Sequence, residues 1–252
     1  LYKIPATTLF LGKKLVFVPE CHSTMDLALQ LCQQSAAPEG TLVITDHQTA
    51  GRGQRGNLWI ASKGENFTMT FVLRPAFLAI KDQFYLNIAI SLGLHDYLTS
   101  RTDKAVRIKW PNDMLIDDKK VCGILIENQL QGQHFSQSLI GIGLNINQQV
   151  FHVDTASSLG VITDRHYTLA DELPVLLSKL EARYLQLREG RLQELKKQYL
   201  NTLYWLGEPR RFSAANTTFD GTITGIDASG KLNVETTAGL RAFDLKEIAY
   251  VR

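Results

Sequence analysis

Ser23, Thr24, Gln48, Arg52, Arg55, Lys109, Asn112, Asp113, Lys120 and Asn145 are the residues of this 252-residue chain whose types and spacing could do chemistry. As a set they are rich in cations and amides and poor in bases. No Ser-His-Asp or Cys-His spacing is visible, and the six histidines are scattered, so neither covalent hydrolysis nor a zinc site is favoured. What remains suits a reaction in which catalysis is positioning plus neutralisation of negative charge, as in transfer at a phosphate. Asp113 could hold a Mg²⁺ or simply pair with a lysine.

Three stretches concentrate these residues. The first, Gln48-Thr49-Ala50-Gly51-Arg52-Gly53-Gln54-Arg55-Gly56-Asn57-Leu58-Trp59, has no apolar pattern that would hold it in a core. Glycine lets backbone N–H groups approach a ligand and arginine offers a planar fork of donors, so the loop is either an anion clamp or an exposed hairpin tip. The second, Ser23-Thr24, precedes a helical pattern, where two hydroxyls could cap the helix or hold a polar ligand group. The third, Gly141-Ile142-Gly143-Leu144-Asn145, interrupts a buried-strand pattern with glycines two apart. A strand of that kind either carries the flat face of a bound base or ring system or is a bulged strand with no ligand.

The elements that must position these groups follow from hydrophobic period. Lys14 to Val18 reads as a strand ending at Pro19, followed by a helix through Met25, Leu27, Ala28, Leu31 and Cys32. Thr41 to Thr45 and Asn66 to Leu73 read as strands on either side of the glycine-arginine loop, and 83–98 as a core-facing helix. Val106 to Trp110 alternates as a strand and is halted by Pro111-Asn112-Asp113; a charged turn, Asp117 to Lys120, leads into the apolar strand 121–126. The turn projects Lys120 beside its tip. Residues 138–147 form the glycine-interrupted strand, 149–168 are irregular, and 169–188 and 191–204 are packing helices. From Gly207-Glu208-Pro209 onward the pattern changes to short strands at 210–214, 217–226, 231–236 and 240–244, which predicts a small all-β appendage, a compact barrel.

Composition narrows the class. The 44% hydrophobic and 21% charged content is that of an ordinary globular chain, and a net charge of +2 argues for no polyanion surface, so nucleic acid is not expected as a partner. The cysteines Cys21, Cys32 and Cys122 are odd in number and lack paired spacing, and are expected to be reduced and buried. No run reaches about 18 apolar residues and the N-terminus lacks signal-peptide regions, so no membrane association and a cytoplasmic location are expected. The oligomeric state stays open, a homodimer included.

Taken together, Gln48-x-x-Gly51-Arg52-Gly53-x-Arg55-Gly56-x-x-Trp59, Lys109-Trp110-Pro111-Asn112-Asp113, Lys120-x-x-Gly123-Ile124-Leu125-x-Glu127 and Gly141-x-Gly143-x-Asn145 closely resemble, in order and separation, the motifs of biotin protein ligases. The resemblance covers residues 14–150 by motif and the remainder by general layout. It implies an α+β fold: a catalytic domain, residues 1–207, with a mixed β-sheet flanked by helices, related to class II aminoacyl-tRNA synthetases and lipoate ligases. A small C-terminal SH3-like β-barrel, residues 208–252, would follow. It implies ATP and biotin as substrates, with Mg²⁺, and a biotin carboxyl carrier protein domain as acceptor. The biotin carboxylate attacks the α-phosphate of ATP to give biotinyl-5′-AMP, and a carrier lysine then attacks the mixed anhydride.

By the same resemblance Ser23, Thr24 and Gln48 bind the ureido ring, and Arg52 with the backbone of Gly51 and Gly53 wraps the carboxylate and phosphate. Arg55 reaches the polyphosphate, and Asn112 and Asn145 the nucleotide. Lys120 is the central catalytic cation, and Lys109 and Asp113 sit beside the reacting centre, Asp113 through Mg²⁺ or toward the incoming lysine. Trp59 either covers the adenine or belongs to the core, and Gly123 and Gly143 belong to the strand motifs. Two positions depart from the family pattern. Met25 stands where an asparagine is usual and is assigned to packing. Gln54 stands where some members have an arginine that helps retain the adenylate. The catalytic pattern begins within about fifteen residues of the first residue, so the helix-turn-helix domain of ligase-repressors is not expected before it.

Overall fold

The computed structural model describes residues 2–251, apart from the side chain of Arg55; the Arg55 expectation therefore lies outside what is described. The chain runs β1 (Leu15–Cys21), α1 (Thr24–Gln33), β2 (Leu42–Gln48), β3 (Asn66–Leu73), α2 (Phe84–Thr99), β4 (Val106–Lys109), β5 (Asp113–Ile116), β6 (Lys119–Gln131) and β7 (His134–Asn145). It continues through α3 (Leu159–Thr163), α4 (Leu169–Arg188), α5 (Leu192–Thr202), β8 (Pro209–Ala214), β9 (Thr217–Ile226), β10 (Leu232–Thr236), β11 (Gly239–Phe243) and β12 (Ala249–Tyr250). β1 to β7 form one sheet in the order β1-β2-β3-β7-β6-β5-β4, with β1 and β2 parallel and the remaining pairs antiparallel. This is the expected mixed sheet.

Period-two alternation divides the sheet between two cores. Phe67, Met69, Phe71 and Leu73 of β3 belong to the large core shared with Leu86, Ile90 and Leu94 of α2 and Leu173, Leu177 and Leu180 of α4. Val72 of the same strand belongs to a smaller cluster with Met25 and Ala28 of α1, Val43 of β2 and Leu139 of β7. Helices thus flank both faces, and the face under α1 carries the candidate chemistry.

Several boundaries differ from expectation for identifiable reasons. β1 runs through Pro19 because it is an edge strand bonded only to β2, where a missing N–H costs no ladder bond. β6 extends beyond 121–126 at both ends, and β7 begins at His134 and ends at Asn145: the added ends of the two strands are mostly polar and pair as a hairpin, in which an isolated buried Phe135 gives no period. A short helix, α3, lies in the stretch read as irregular. The β5–β6 turn behaves as expected, with Asp117 and Asp118 at φ 46° and 65°, a pair of left-handed residues suited to a two-residue hairpin.

The C-terminal strands form a separate five-stranded antiparallel sheet in the order β11-β10-β9-β8-β12. Four strands were foreseen; β12, two residues long, was not. The arrangement is consistent with an SH3-like unit, although among the described residues no strand pairing closes the ladder between β11 and β12. An aromatic cluster roots it on α5 and β4: Trp205 stacks on Tyr204 at 4.9 Å and lies 5.2 Å from Tyr250, which is 5.5 Å from Phe212. At its other end Trp110 Nε1 donates to Gly230 O at 2.8 Å. Among the described residues no helix is long and apolar enough to cross a membrane.

Candidate active site

A cleft of about 780 Å³ opens between the α1 face of the large sheet, the glycine-arginine loop and the C-terminal sheet. Its inner corner is built where β1 ends and α1 begins. Ser23, buried, has extended backbone (φ −153°, ψ 135°), and its Oγ accepts from Met25 N at 3.2 Å while its carbonyl accepts from Leu27 N. Ser23 therefore does cap the helix. Thr24 donates from both N and Oγ1 to Gln48 Oε1, at 2.7 and 3.0 Å, and its hydroxyl also meets Thr70 Oγ1 at 2.8 Å. Both hydroxyl residues line the cleft with Gln48. Capping and lining, posed as alternatives by the sequence, are combined here. Met25 packs as expected, its sulfur meeting the backbone of Gly141.

The loop closes on itself. Trp59 N donates to Gly51 O at 2.9 Å and Gly53 N to Asn57 O at 2.7 Å, with a single 3₁₀ turn at Gln54–Gly56 between them. Gly51 is needed for close approach within the loop: a Cβ there would lie 2.2 Å from the carbonyl oxygen of Trp59. Arg52 is more exposed than a closed clamp implies, and its guanidinium bridges Asp26 of α1, at 2.6 Å, and Glu127 of β6. The anions that Arg52 meets in this structure are two carboxylates of the chain, on a loop whose arginine is exposed. Asp26 was not anticipated as a partner; it lies three residues past Ser23 on a helical pattern that read as capping and packing only.

The glycine-interrupted strand makes room for a ring, and the ring is the chain's own Trp59 rather than a ligand's, an outcome neither reading of the sequence named. A Cβ on Gly143 would fall 2.1 Å from Trp59 Cε2, and one on Gly123, its cross-strand partner, 3.2 Å from Cζ3. The β6–β7 register is unbroken through these residues, its one irregularity lying at Gln129/Leu130, so the alternative of a bulge is not realised. Trp59 is accordingly a wall of the cleft packed on the sheet, with its indole N–H buried and unpartnered among the described residues.

Opposite the loop stand the charges. Lys109 ends β4 and Asp113 begins β5, and the cis Trp110–Pro111 turn makes them cross-strand partners. Asp113 Oδ1 binds Lys120 Nζ at 2.7 Å. Lys120 lies one residue into β6, with its backbone clamped by Thr155 O and Ser157 N and its ammonium 5.9 Å from the Trp59 ring centre. Gly53, Gln54 and Asn112 complete the lining named from the sequence. Asn112 has a structural task as well, its Nδ2 donating to Ile124 O at 2.6 Å. Gly51 and Asn145 are not among the residues lining the cleft: Asn145 is buried, donates to Ser157 O at 3.0 Å and leaves its Oδ1 without a partner among the described residues.

Two features went unforeseen. Thr68, Thr70 and Leu125 contribute to the inner corner or its lining, but as ordinary strand residues they carry no sequence signal. Leu245, Lys246, Ile248, Ala249 and Tyr250 of the C-terminal sheet form one wall of the cleft, a long-range juxtaposition that no local pattern encodes. Burial, and secondarily the Asp113 carboxylate, push the Tyr250 phenol well above its ordinary range, so it stays protonated. Burial likewise raises the thiol of Cys122, beside Lys120, which keeps it protonated and unreactive. Among the described residues no group of three His, Cys, Asp or Glu could hold a metal, and Asp113 is already engaged by Lys120.

Comparison with known proteins matches this geometry to a family. Residues 18–145 match the model of the Biotin/lipoate A/B protein ligase family. The bifunctional ligase/repressor BirA of Bacillus subtilis is 34% identical over 239 residues, spanning 92% of this chain and 72% of that protein. The biotin–[acetyl-CoA-carboxylase] ligase of Paracoccus denitrificans is 32% identical over 216 residues, 82% of this chain and 89% of that protein. A solved biotin protein ligase from Aquifex aeolicus, in complex with biotin and ATP, superposes with a TM-score of 0.79 at 25% identity, covering 95% of this chain and 99% of that one. With a matched model over the sheet that carries the cleft, and relatives similar along most of their length, the chain belongs to the biotin/lipoate A/B protein ligase family.

Proposed function

We propose that the chain ligates biotin to a lysine of a carrier protein at the expense of ATP, through biotinyl-5′-AMP. The observation that carries this reading is the meeting, in one cleft, of the Ser23–Thr24–Gln48 corner with the Lys109, Asp113 and Lys120 charges. The corner presents hydroxyls and an amide, donors and acceptors together, which is what a cyclic urea needs. In the first step the biotin carboxylate oxygen bonds to the α-phosphorus and pyrophosphate leaves. Two anions must approach one another, and Lys120, a compact cation, offsets their repulsion. Arg52 exchanges a protein carboxylate for the substrate's anion, with the backbone of Gly53 alongside. Trp59 and Asn112 border the nucleotide. In the second step the uncharged ε-amine of the acceptor lysine attacks the anhydride carbonyl and AMP leaves, with Asp113 placed to receive the amine's proton.

The acceptor is a biotin carboxyl carrier protein domain, and residues 1–207 do the chemistry while 208–252 wall the cleft. Magnesium enters this reading as the counter-ion that travels with the nucleotide's phosphates, because one carboxylate already paired with lysine is too few for a metal held by the chain. Cytoplasmic location, absence of nucleic-acid binding and a homodimer, if one forms, belong to the same proposal. Biotin-dependent ATP–pyrophosphate exchange tests it. Exchange with biotin is the expected result, and exchange with lipoate but none with biotin would sink it.

A further inference from the structure

Tyr250 takes no part in the chemistry above, yet it stands in the cleft wall at the end of β12. The Lys109 ammonium lies 4.8 Å from the centre of its ring. The ring cannot follow the lysine, since it is packed against Trp205 at 5.2 Å, Phe212 at 5.5 Å and Tyr204 at 6.1 Å. The hydroxyl is buried with no hydrogen-bond partner among the described residues, and the phenol stays neutral beside Asp113. Lysine has a flexible four-carbon stem, and an aromatic face fixed by three neighbours is a means of localising its charge that an aliphatic residue of similar bulk does not supply.

We propose that Tyr250 is a positioning residue for adenylation: its ring face holds the Lys109 ammonium in the cleft beside the Asp113–Lys120 pair, so that the C-terminal sheet completes the charge arrangement of the reaction centre. The inference rests on the adenylation reading given above. It also gives a common purpose to two contacts of the C-terminal sheet with the Lys109–Asp113 turn, Tyr250 on Lys109 and Gly230 O on Trp110.

The test replaces Tyr250 in the full chain with phenylalanine and with phenylalanines carrying increasing numbers of ring fluorines. These retain the shape and packing of the ring while withdrawing negative potential from its face. Biotin-dependent ATP–pyrophosphate exchange is expected to slow stepwise along the series, by about five- to thirty-fold in total. The biotin dissociation constant should stay constant, and the trend should vanish in a Lys109→Met background. A flat series in an otherwise active enzyme overturns the assignment, as does the same slope with and without Lys109. A wild-type chain with no biotin-dependent exchange overturns the adenylation reading itself, and this inference with it.

Discussion

Gly143→Ala tests whether the seat of Trp59 on the sheet sets the activity of the cleft. The added Cβ would lie 2.1 Å from Trp59 Cε2 and 2.5 Å from Cζ2 and Nε1. Packed carbons rest at about 3.5–4.0 Å, so the ring must retreat by about 1.4 Å. The strand cannot yield instead, because Gly143 pairs with Thr68 of β3 on one side and Gly123 of β6 on the other. A displacement of about 1 Å in a catalytic wall costs about 10²-fold in rate. Exchange activity should therefore fall about a hundredfold. Stability should change by less than about 1 kcal/mol, since alanine is no worse than glycine in a strand and the loop can swing outward. Gly123→Ala, whose Cβ would sit 3.2 Å from Cζ3, asks for only a few tenths of an ångström and should cost a few-fold. The assay is pyrophosphate exchange with circular dichroism melts on the same preparations. In a Trp59→Ala background the Gly143→Ala penalty should disappear, because the obstructing ring is gone. Near-wild-type activity of Gly143→Ala, or a further hundredfold loss in the double variant, would refute the reasoning.

Three other outcomes follow from the same geometry. Lys120→Ala should lower exchange by about 10²–10³-fold, the usual cost of losing one donor to developing charge. It should cost at most about 1 kcal/mol of stability in urea melts, because the ion pair with Asp113 is partly solvent-screened, its side chains being 37% and 20% exposed. Glu181, buried on α4, accepts from Leu9 N at 2.6 Å and from Phe10 N and Leu11 N at 2.8 Å; Glu181→Gln confronts one of these N–H groups with an amide donor. It should destabilise by about 2–4 kcal/mol in urea melts, with exchange per folded molecule unchanged, and an unmoved midpoint would contradict the anchor. His95 has its imidazole pKa lowered, chiefly by burial, so below its ordinary value of 6.5 the unfolded chain binds a proton that the folded one resists. Its contribution should be intact above pH 6.5 and lost as pH falls through the lowered folded value, and His95→Gln should flatten that part of the stability–pH curve.

What could be read from the sequence depended on whether the signal was local. β3 and α4 have the bounds their periodicity implied, because alternating or helically spaced apolar residues report directly on a half-buried strand or helix. The Lys109–Asp113 turn and Lys120 were legible for a similar reason: proline and aspartate pairs mark strand ends, and a strand end is where side chains meet a cleft. The polar halves of β6 and β7 were illegible because they are held mainly by each other, and an isolated core residue, Phe135, sets no period. β12 was missed because two residues have no period. Tyr250 consequently looked like the tail of an appendage, although it faces Lys109.

The glycine-arginine loop shows where residue type stops short of function. The composition of the loop pointed to a bound anion and the glycines of β7 to a bound ring, and in the structure Arg52 meets carboxylates and Gly143 meets a ring. Both counterparts are the chain's own, Asp26 with Glu127 and Trp59. Type and spacing specify what a site can bind, but an intramolecular group at high effective concentration meets the same specification as a substrate does. On the function proposed above, Arg52 must leave Asp26 and Glu127 to meet a substrate anion, so a ligand must bring more than a single negative charge to draw it away. A carboxylate and a phosphate held together in one molecule, as in an acyl-adenylate, offer a mixed anhydride with its phosphate and the surrounding contacts of the corner and wall. On the function proposed above, it is the combination of Ser23–Thr24–Gln48 with Trp59 and Lys120 across the cleft, and not the arginine alone, that would select such a ligand.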